Sequence, residues 1–437
     1  MAGKAYLRYE LPTAPKWLNN FFAVGLILQL TIVLFAGLFT TWPTTGLAAS
    51  SAFRPGTNHN QDEFDVTQYQ YLMDSMVMIL MGWAFLFCLI PKYGWAGISV
   101  ALLCFCIAFE WNIVIRGWIR DENFTGALSS IVINIDTLAH SIFCCAAVLI
   151  AVGSVLGRTS LEQMAILAFF GTPAYNFNAW LCADKIGATD PGGSFIVHCF
   201  GAFMGVGASW VLGHDEGHKL KRRFTEEGNY HTNIFAMIGT IFLWIYYPSI
   251  NSYIVKDGLA KYRASSNTLI ALLFSASVSI ILSDFSENVK KNMMIHLQAA
   301  TLAGGIGIGA LADHPIEPWG AALIGVVNAV ICCLAIYYVT PWMENTLKIH
   351  DTCDCMALHG ICAFFAVFAS CISLAVADEN SVYGQMYKDN QAGKQLAGVF
   401  ISAGLGFVFG VLIGFVMGMF SRDDHWYDAN VHFKKVD

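Results

Sequence analysis

The sequence predicts an all-α polytopic membrane protein with about twelve transmembrane helices, arranged as a five-plus-five inverted-topology repeat around a central pore. Three observations predict this fold class: an apolar composition, a series of apolar segments, and a motif that occurs twice. Of the 437 residues, 56% are hydrophobic and 13% are charged, whereas soluble domains are about one quarter charged. A globular core could not bury so much apolar surface, so we expect the chain to lie in a lipid bilayer.

Charge and cysteine content argue against other classes of protein. The net charge is −7, and no basic run is longer than the one from Lys219 to Arg223, so we expect no nucleic-acid partner. Nearly all of the 13 cysteines lie inside apolar segments without metal-ligand spacing, which favours packing residues over a disulfide framework. The first apolar run begins near Trp17 and lacks a convincing cleavage site, so we interpret it as a retained span.

Twelve apolar segments are long enough to cross the hydrocarbon layer as helices. They lie near residues 17–39, 69–90, 94–118, 128–156, 161–182, 192–213, 233–251, 264–283, 293–312, 317–340, 354–377 and 395–420. An even number of spans places both termini on one side of the membrane. Of the 24 Lys and Arg residues, fifteen lie in the tails and alternate loops on that side and nine in the other loops. Both termini of this multi-pass protein are therefore predicted to be cytoplasmic, in the cell membrane.

One loop on the opposite side carries a candidate modification site. Asn123-Phe-Thr125 follows the third segment and matches the acceptor pattern for N-glycosylation. Asn123 is therefore a candidate glycosylation site on the outer face.

The motif that occurs twice is built around a histidine. It reads Asp190-Pro-Gly-Gly-Ser-Phe-Ile-Val-His198 in the sixth segment and Asp351-Thr-Cys-Asp-Cys-Met-Ala-Leu-His359 in the eleventh. Eight helical residues rise about 12 Å, so each His lies near the middle of a layer roughly 30 Å thick. An ionisable ring at that depth is costly and indicates a functional residue.

The spacing of the two copies predicts the domain organisation. Five spans separate them, so they cross the membrane in opposite directions, as in an inverted-topology repeat. The chain is interpreted as one membrane domain, with a first repeat, a second repeat, a C-terminal packing helix and a cytoplasmic tail at residues 69–213, 233–377, 395–420 and 421–437.

The same geometry brings the two histidines together. Asp190 falls at the outer end of its helix and Asp351 at the inner end, so the rings meet near the midplane, where transporters of this architecture bind substrate. Asp190 precedes Pro at the first helical position, so it is expected to cap the helix and also to attract cations at the outer mouth. No metal is expected, because no third ligand has helical spacing to either His.

Three longer segments carry a family resemblance. They read Phe235-Ala-Met-Ile-Gly-Thr-Ile-Phe-Leu-Trp-Ile-Tyr-Tyr-Pro-Ser-Ile-Asn251, His296-Leu-Gln-Ala-Ala-Thr-Leu-Ala-Gly-Gly305, and Ile349-His-Asp-Thr-Cys353 with Leu358-His-Gly360. They resemble the Rh glycoproteins of the ammonium transporter/Rh superfamily, and the similarity runs in order from the second helix to the eleventh. The resemblance implies a homotrimer with a pore through each subunit. It also implies conduction of ammonia, or in some members carbon dioxide, past two hydrogen-bonded histidines.

The resemblance also assigns roles to single residues. The family's two pore histidines, its outer-vestibule Asp and its paired phenylalanine gate map, in that order, onto His198, His359, Asp190, Phe143 and Ile250. At Ile250 this sequence departs from the usual Phe. It departs again at Ala299, commonly Asn in relatives, and at Asp354-Cys-Met-Ala357. These departures bear on gate dimensions and rate more than on the activity, since both histidines remain.

The function predicted from these residues is a channel for neutral ammonia. An intact ammonium ion would pay a large desolvation cost in an apolar bore. Ammonia loses only hydrogen bonds to water, and a neutral imidazole can replace some of them with its one donor and one acceptor. Ammonium would be recruited near Asp190 and lose a proton at or above the histidines, and ammonia would pass Phe143 and the pair to be reprotonated inside.

Two alternatives come from other classes of protein. A non-conducting, Rh-like membrane scaffold or binding protein would need neither histidine, so their retention argues against it. An intramembrane enzyme would need a nucleophile or metal constellation beside the pair, which the sequence does not show. We therefore predict no enzymatic activity and no cofactor.

Overall fold

A computed structural model describes residues 21–41, 66–120, 131–213, 229–256, 258–284 and 294–420. The candidate glycosylation site Asn123, both chain termini and the tail at 421–437 lie outside the described residues. The predictions made for them are therefore not addressed by the structure.

The first half of the described chain contains six helices. They are α1 (Phe21–Phe39), α2 (Tyr69–Leu89), α3 (Gly94–Arg120), α4 (Ile135–Val155), α5 (Leu161–Ala179, continued by a π-helical stretch Trp180–Ile186) and α6 (Ser194–Leu212). Two short strands, β1 (Thr40–Thr41) and β2 (Ile131–Val132), pair in parallel beside them.

The second half begins with five helices that correspond to α2–α6. They are α7 (Tyr230–Tyr253), α8 (Gly258–Asp284), α9 (Met294–Ala300 and Ala303–Gly309), α10 (Pro318–Leu347) and α11 (Met356–Ala375). A short helix α12 (Val382–Lys388) and the long α13 (Gln391–Gly418) follow.

The predicted fold class is confirmed. Among the described residues, ten helices are long and apolar enough to cross a membrane, and α5 and the shorter α9 complete the twelve predicted segments. Helix α5 is less apolar because it carries polar side chains that are buried inside the protein, namely Gln163, Thr172, Asn176 and Asn178. They are hydrogen-bonded inside the protein, since Gln163 donates to the Met417 carbonyl oxygen and Asn176 donates to Asn112 Oδ1, so these groups do not face lipid.

Several predicted segment ends differ from the observed helix ends because local caps decide them. Helix α4 begins at Ile135 and not near residue 128, since the Asn134 side chain accepts a hydrogen bond from the Thr137 N–H. Ser160 and Gln163 form a reciprocal capping box at the start of α5. Such caps satisfy backbone N–H groups that have no partner within the helix.

The two repeats have matching internal contacts. In each repeat the second helix packs on the fourth, α3 on α5 and α8 on α10, and the third helix packs on the fifth, α4 on α6 and α9 on α11. The repeats meet through their first helices, α2 and α7, and through their fifth helices, α6 and α11. The histidine motifs begin α6 and α11, so this architecture brings them to the interface between the repeats.

Helix α13 packs closely along α6, outside the two repeats. The approach depends on glycine, since a Cβ atom added at Gly410 would lie 2.1 Å from the Met204 carbonyl oxygen. Small residues allow helix backbones to come this close inside a membrane.

Candidate functional site: a paired-histidine cavity

The first turn of α6 is held by Asp190. Its Oδ1 accepts a hydrogen bond from the Ser194 N–H at 2.7 Å, and its Oδ2 accepts from the Phe195 and Ile196 N–H groups at 2.8 Å each. Gly193, with φ of 68°, reverses the chain between the Asp and the helix. The capped first turn, Ser194–Cys199, is π-helical and ends beside His198.

The start of α11 repeats this arrangement. Asp351 Oδ2 accepts a hydrogen bond from the Met356 N–H at 2.7 Å, and a π-helical turn, Met356–Ile361, carries His359. Asp354 takes the place of Gly193, with a φ of 52°. Asp tolerates this left-handed conformation better than most residues because it is short and polar.

The correspondence extends before the motifs as well. Gly187 and Lys348, each three residues before its Asp, both end a π-helical stretch in the left-handed conformation. The two sites therefore share one backbone geometry, although their intervening residues differ. That geometry fixes where the two imidazole rings point.

The rings of His198 and His359 contact each other directly. Their Nδ1 atoms lie 3.0 Å apart across 161 residues of sequence, and the ring centroids lie 5.1 Å apart at an interplanar angle of 9°. Both side chains are buried, with 8% and 6% of their surface exposed. One ring must donate its Nδ1 proton to the other, because two bare nitrogens or two N–H groups would repel.

A third polar group joins this pair. The Tyr247 hydroxyl lies 3.1 Å from His198 Nε2, so a chain of hydrogen bonds runs from Tyr247 through His198 to His359. Tyr247 was not among the site residues predicted from the sequence. One signal was available, since Tyr247 precedes the gate candidate Ile250 by three residues and so lies on the same face of α7.

The three residues line a buried cavity at the interface of the repeats. Its other walls are mostly apolar, and they include both gate candidates: Met78, Ile79, Trp83, Phe143, Ala146, Gly192, Val197, Leu243, Ile250 and Leu302. The Trp83 ring packs against His359 with centroids 5.7 Å apart. The imidazoles and the phenol thus present polar atoms on an otherwise apolar wall.

Asp190 lies beside this cavity and does not line it. Its neighbour Gly192 contributes to the wall, while the Asp190 side chain is 7% exposed and both oxygens face the start of α6. The structure therefore contains the helix cap that the sequence predicted at this residue. Within the described part of the chain, no group of three or more His, Cys, Asp or Glu side chains could hold a metal ion.

The fold and the site together define a polytopic membrane protein of the channel and transporter class, in which two inverted repeats enclose an apolar cavity with paired imidazoles. The model of the Ammonium Transporter Family matches residues 30–422. The chain belongs to this family, and its curated relatives place it with the Rh type.

Those relatives cover nearly the whole chain. The ammonium transporter Rh type C of Bos taurus is 31% identical over 428 residues, with 94% of this chain and 89% of the relative covered. The same protein of Oryctolagus cuniculus is 31% identical over 438 residues, with 98% and 90% covered.

Solved structures show the same fold. The Rh50 channel of Nitrosomonas europaea superposes with a TM-score of 0.74 at 27% identity, covering 85% of this chain and 93% of that one. A sensor Amt protein superposes with a TM-score of 0.69 at 18% identity, covering 85% and 98%. The second likeness supports the fold alone.

Proposed function

We propose that the protein is a membrane channel that conducts ammonia, recruited as ammonium, through an apolar pore with a twin-histidine centre. The observation that carries this proposal is the hydrogen-bond contact between His198 and His359 on the wall of the apolar cavity. Membership of the Ammonium Transporter Family supports the same substrate. The relatives from Bos taurus and Oryctolagus cuniculus are named as ammonium transporters.

The cavity suits a small neutral molecule better than an ion. A cation crossing it would lose its water and meet no carboxylate on the wall, which costs several kcal/mol or more. Ammonia can donate an N–H to a bare imidazole nitrogen or accept from a protonated one, so the pair replaces part of its lost hydration. The separated proton returns or crosses by a route distinct from the apolar path.

Phe143 and Ile250 are proposed as the constriction on one side of the pair. Both side chains are buried and both line the cavity. Ile is shorter than the Phe expected from the family and cannot stack on a second ring. The constriction should therefore be wider than a gate of two phenyl rings, and still dry.

Asp190 is proposed to act mainly by position. Its oxygens accept hydrogen bonds from three backbone N–H groups at the start of the helix. These donors, together with the positive end of the helix dipole, offset much of the negative charge of the carboxylate. We propose that it fixes the turn that carries His198 and contributes a weaker attraction for ammonium at the outer mouth.

Further parts of the proposal follow the family and the sequence. The functional unit is a homotrimer with one pore in each subunit, both termini are cytoplasmic in the cell membrane, Asn123 is a glycosylation site, and carbon dioxide is a second candidate solute. The protein is not an enzyme, in keeping with a family of transporters.

The competing function is a non-conducting, Rh-like scaffold. It would tolerate loss of the buried pair, so ammonia flux in reconstituted liposomes separates the two functions. His198→Ala and His359→Ala should each lower ammonia flux at least about fivefold, the effect of losing about 1 kcal/mol of hydrogen bonding. His231→Ala is the matched control, because this exposed histidine at the start of α7 does not line the cavity.

Assembly must be measured beside flux in each variant. Normal flux in both pore-histidine variants would refute the channel assignment. Absence of flux in the unmodified protein, correctly assembled and oriented, would favour the scaffold.

A further inference from the structure

Tyr247 is the one phenol in hydrogen-bond contact with the histidine pair among the described residues. Its side chain is 2% exposed, and its ring lies nearly parallel to that of His198, with centroids 6.2 Å apart and an interplanar angle of 28°. We propose that Tyr247 is a positioning residue that sets which nitrogen of each pore histidine carries the proton. The expected effect on flux rests on the proposed ammonia conduction, whereas the expected change in which histidine nitrogens are protonated does not.

Two proton arrangements satisfy the chain from Tyr247 to His359. In the first, the Tyr247 O–H donates to His198 Nε2, the His198 Nδ1–H donates to His359 Nδ1, and His359 carries its proton on Nε2. In the second, the His359 Nδ1–H donates to His198 Nδ1, and the His198 Nε2–H donates to the phenol oxygen. Every imidazole keeps one proton in both cases, so the rings stay neutral.

The phenol makes these arrangements unequal. A neutral imidazole nitrogen takes up a proton at about pH 6.5, whereas a phenol gives one up at about pH 10 and gains no second proton in the accessible range, so the imidazole nitrogen is the better acceptor and the phenol O–H a good donor. An O–H donated to the imidazole nitrogen is therefore the better hydrogen bond, and the first arrangement is favoured. Without the hydroxyl, His198 Nε2 loses its hydrogen bond in either arrangement, and this source of preference is lost.

The preferred arrangement places a hydrogen-bond acceptor at one end of the chain of hydrogen bonds and a donor at the other. The phenol oxygen keeps lone pairs that can accept an N–H from ammonia, and the Nε2–H of His359 at the other end of the chain can donate to ammonia's nitrogen. A molecule moving along the pair would thus meet an acceptor first and a donor second, or the reverse. A mixture of the two proton arrangements would remove that order from part of the population.

The packing around Tyr247 holds its hydroxyl in place. A Cβ atom added at Gly305 on α9 would lie 2.8 Å from two atoms of the Tyr247 ring, so glycine leaves the space that the ring occupies. Gly305→Ala therefore displaces the ring and retains every polar group. This substitution displaces the Tyr247 hydroxyl from His198 without changing Tyr247 itself.

The test measures the proton positions directly. The protein is labelled with ¹⁵N-histidine, placed in lipid bilayers and studied by solid-state NMR, with the His198 signals identified by their loss in His198→Ala. We expect a protonated Nδ1 and a bare Nε2 on His198 in the unmodified protein. In Tyr247→Phe the preference should fall about fivefold, and ammonia flux into liposomes should fall several-fold.

The matched control is Tyr253→Phe. Tyr253 lies on the same helix and is buried, but its hydroxyl faces the Ile135 carbonyl oxygen at 3.5 Å. This variant should keep both the NMR signals and the flux of the unmodified protein.

Two results would overturn the inference: a proton on Nε2 of His198 in the unmodified protein, or unchanged His198 signals in both Tyr247→Phe and Gly305→Ala. Failure of the unmodified protein to conduct ammonia would count against the proposed function alone. The NMR comparison would still decide the role of Tyr247.

Discussion

Among single residues, the polar atoms of the cavity come from the two imidazoles and from Tyr247, which is hydrogen-bonded to His198. Trp83 packs against His359. Ile250 differs from these because it acts through size and shape. It is 5% exposed and shares the cavity wall with Phe143, so its volume bears on the width of the path.

Replacing Ile250 by Phe tests that role. The added ring volume should narrow the constriction, so Ile250→Phe is expected to lower ammonia flux about two- to fivefold and methylamine flux about tenfold or more, because one extra methyl group meets the narrower opening. Both fluxes are measured in the same liposomes. The control is Ile245→Phe, an identical change on α7 at a side chain that is 55% exposed. Equal effects on the two solutes would show that Ile250 does not line the constriction.

Among the structural elements, the helices α6 and α11 that carry the histidines begin with the same capped turn. An Asp caps the helix, a left-handed residue three positions later turns the chain, and a π-helical turn then presents the histidine. In both copies the Asp side chain accepts hydrogen bonds from backbone N–H groups at the start of the helix. The different residues at Gly193 and Asp354 show that the backbone conformation is what the two copies share.

Substitution of two glycines, Gly187 and Gly193, tests the role of the capped turn before α6. Gly187→Ala and Gly193→Ala both place a side chain at positive φ, at 73° and 68°, so each should cost about 1–2 kcal/mol of stability. Only at Gly193 would the new Cβ also meet a neighbour, Val197 Cγ2, at 2.6 Å, whereas Gly187 has open space. We expect both variants to unfold at a lower temperature than the unmodified protein in detergent. Only Gly193→Ala should also lose ammonia flux. Similar flux losses in the two would mean that the turn does not position His198.

At the scale of the whole molecule, the inverted repeat explains why two distant motifs form one site. The repeats pack through α2 with α7 and through α6 with α11, so the two histidines, each in the first turns of its helix, come into contact. The outer faces of the chain remain apolar, with exposed side chains on α1 such as Leu30 and Leu38. A lipid bilayer or neighbouring subunits would cover them.

The membrane orientation can be tested on cells. Because the Lys and Arg residues favour one side, a tag after residue 437 should bind antibody only in permeabilised cells, and a tag near Asn58 should bind it on intact cells. A cytoplasmic marker serves as the control for membrane integrity. The opposite labelling pattern would reverse the topology.

The oligomeric state is a separate prediction. We expect three subunits for each complex, as the Rh resemblance implies, each with its own histidine cavity. Native mass spectrometry gives the stoichiometry, and trimers that mix unmodified and His198→Ala subunits should conduct in proportion to the unmodified share. A stable monomer as the conducting species would contradict this.

The sequence by itself determined the membrane fold class, the order of the spans and the two-histidine motif, because hydrophobic length and motif spacing are local properties of the chain. Through the repeated motif it also drew attention to both histidines and to Asp190. The eight helical residues expected between each Asp and its His are wrong, because the π-helical turns that carry the histidines begin only at Ser194 and Met356, after a left-handed residue. Three features follow from tertiary structure alone: the contact between Tyr247 and His198, the orientation of the Asp190 oxygens toward the start of α6, and the matching left-handed turns before each histidine. These depend on helix packing and on which way a side chain points, and hydropathy carries no information about either.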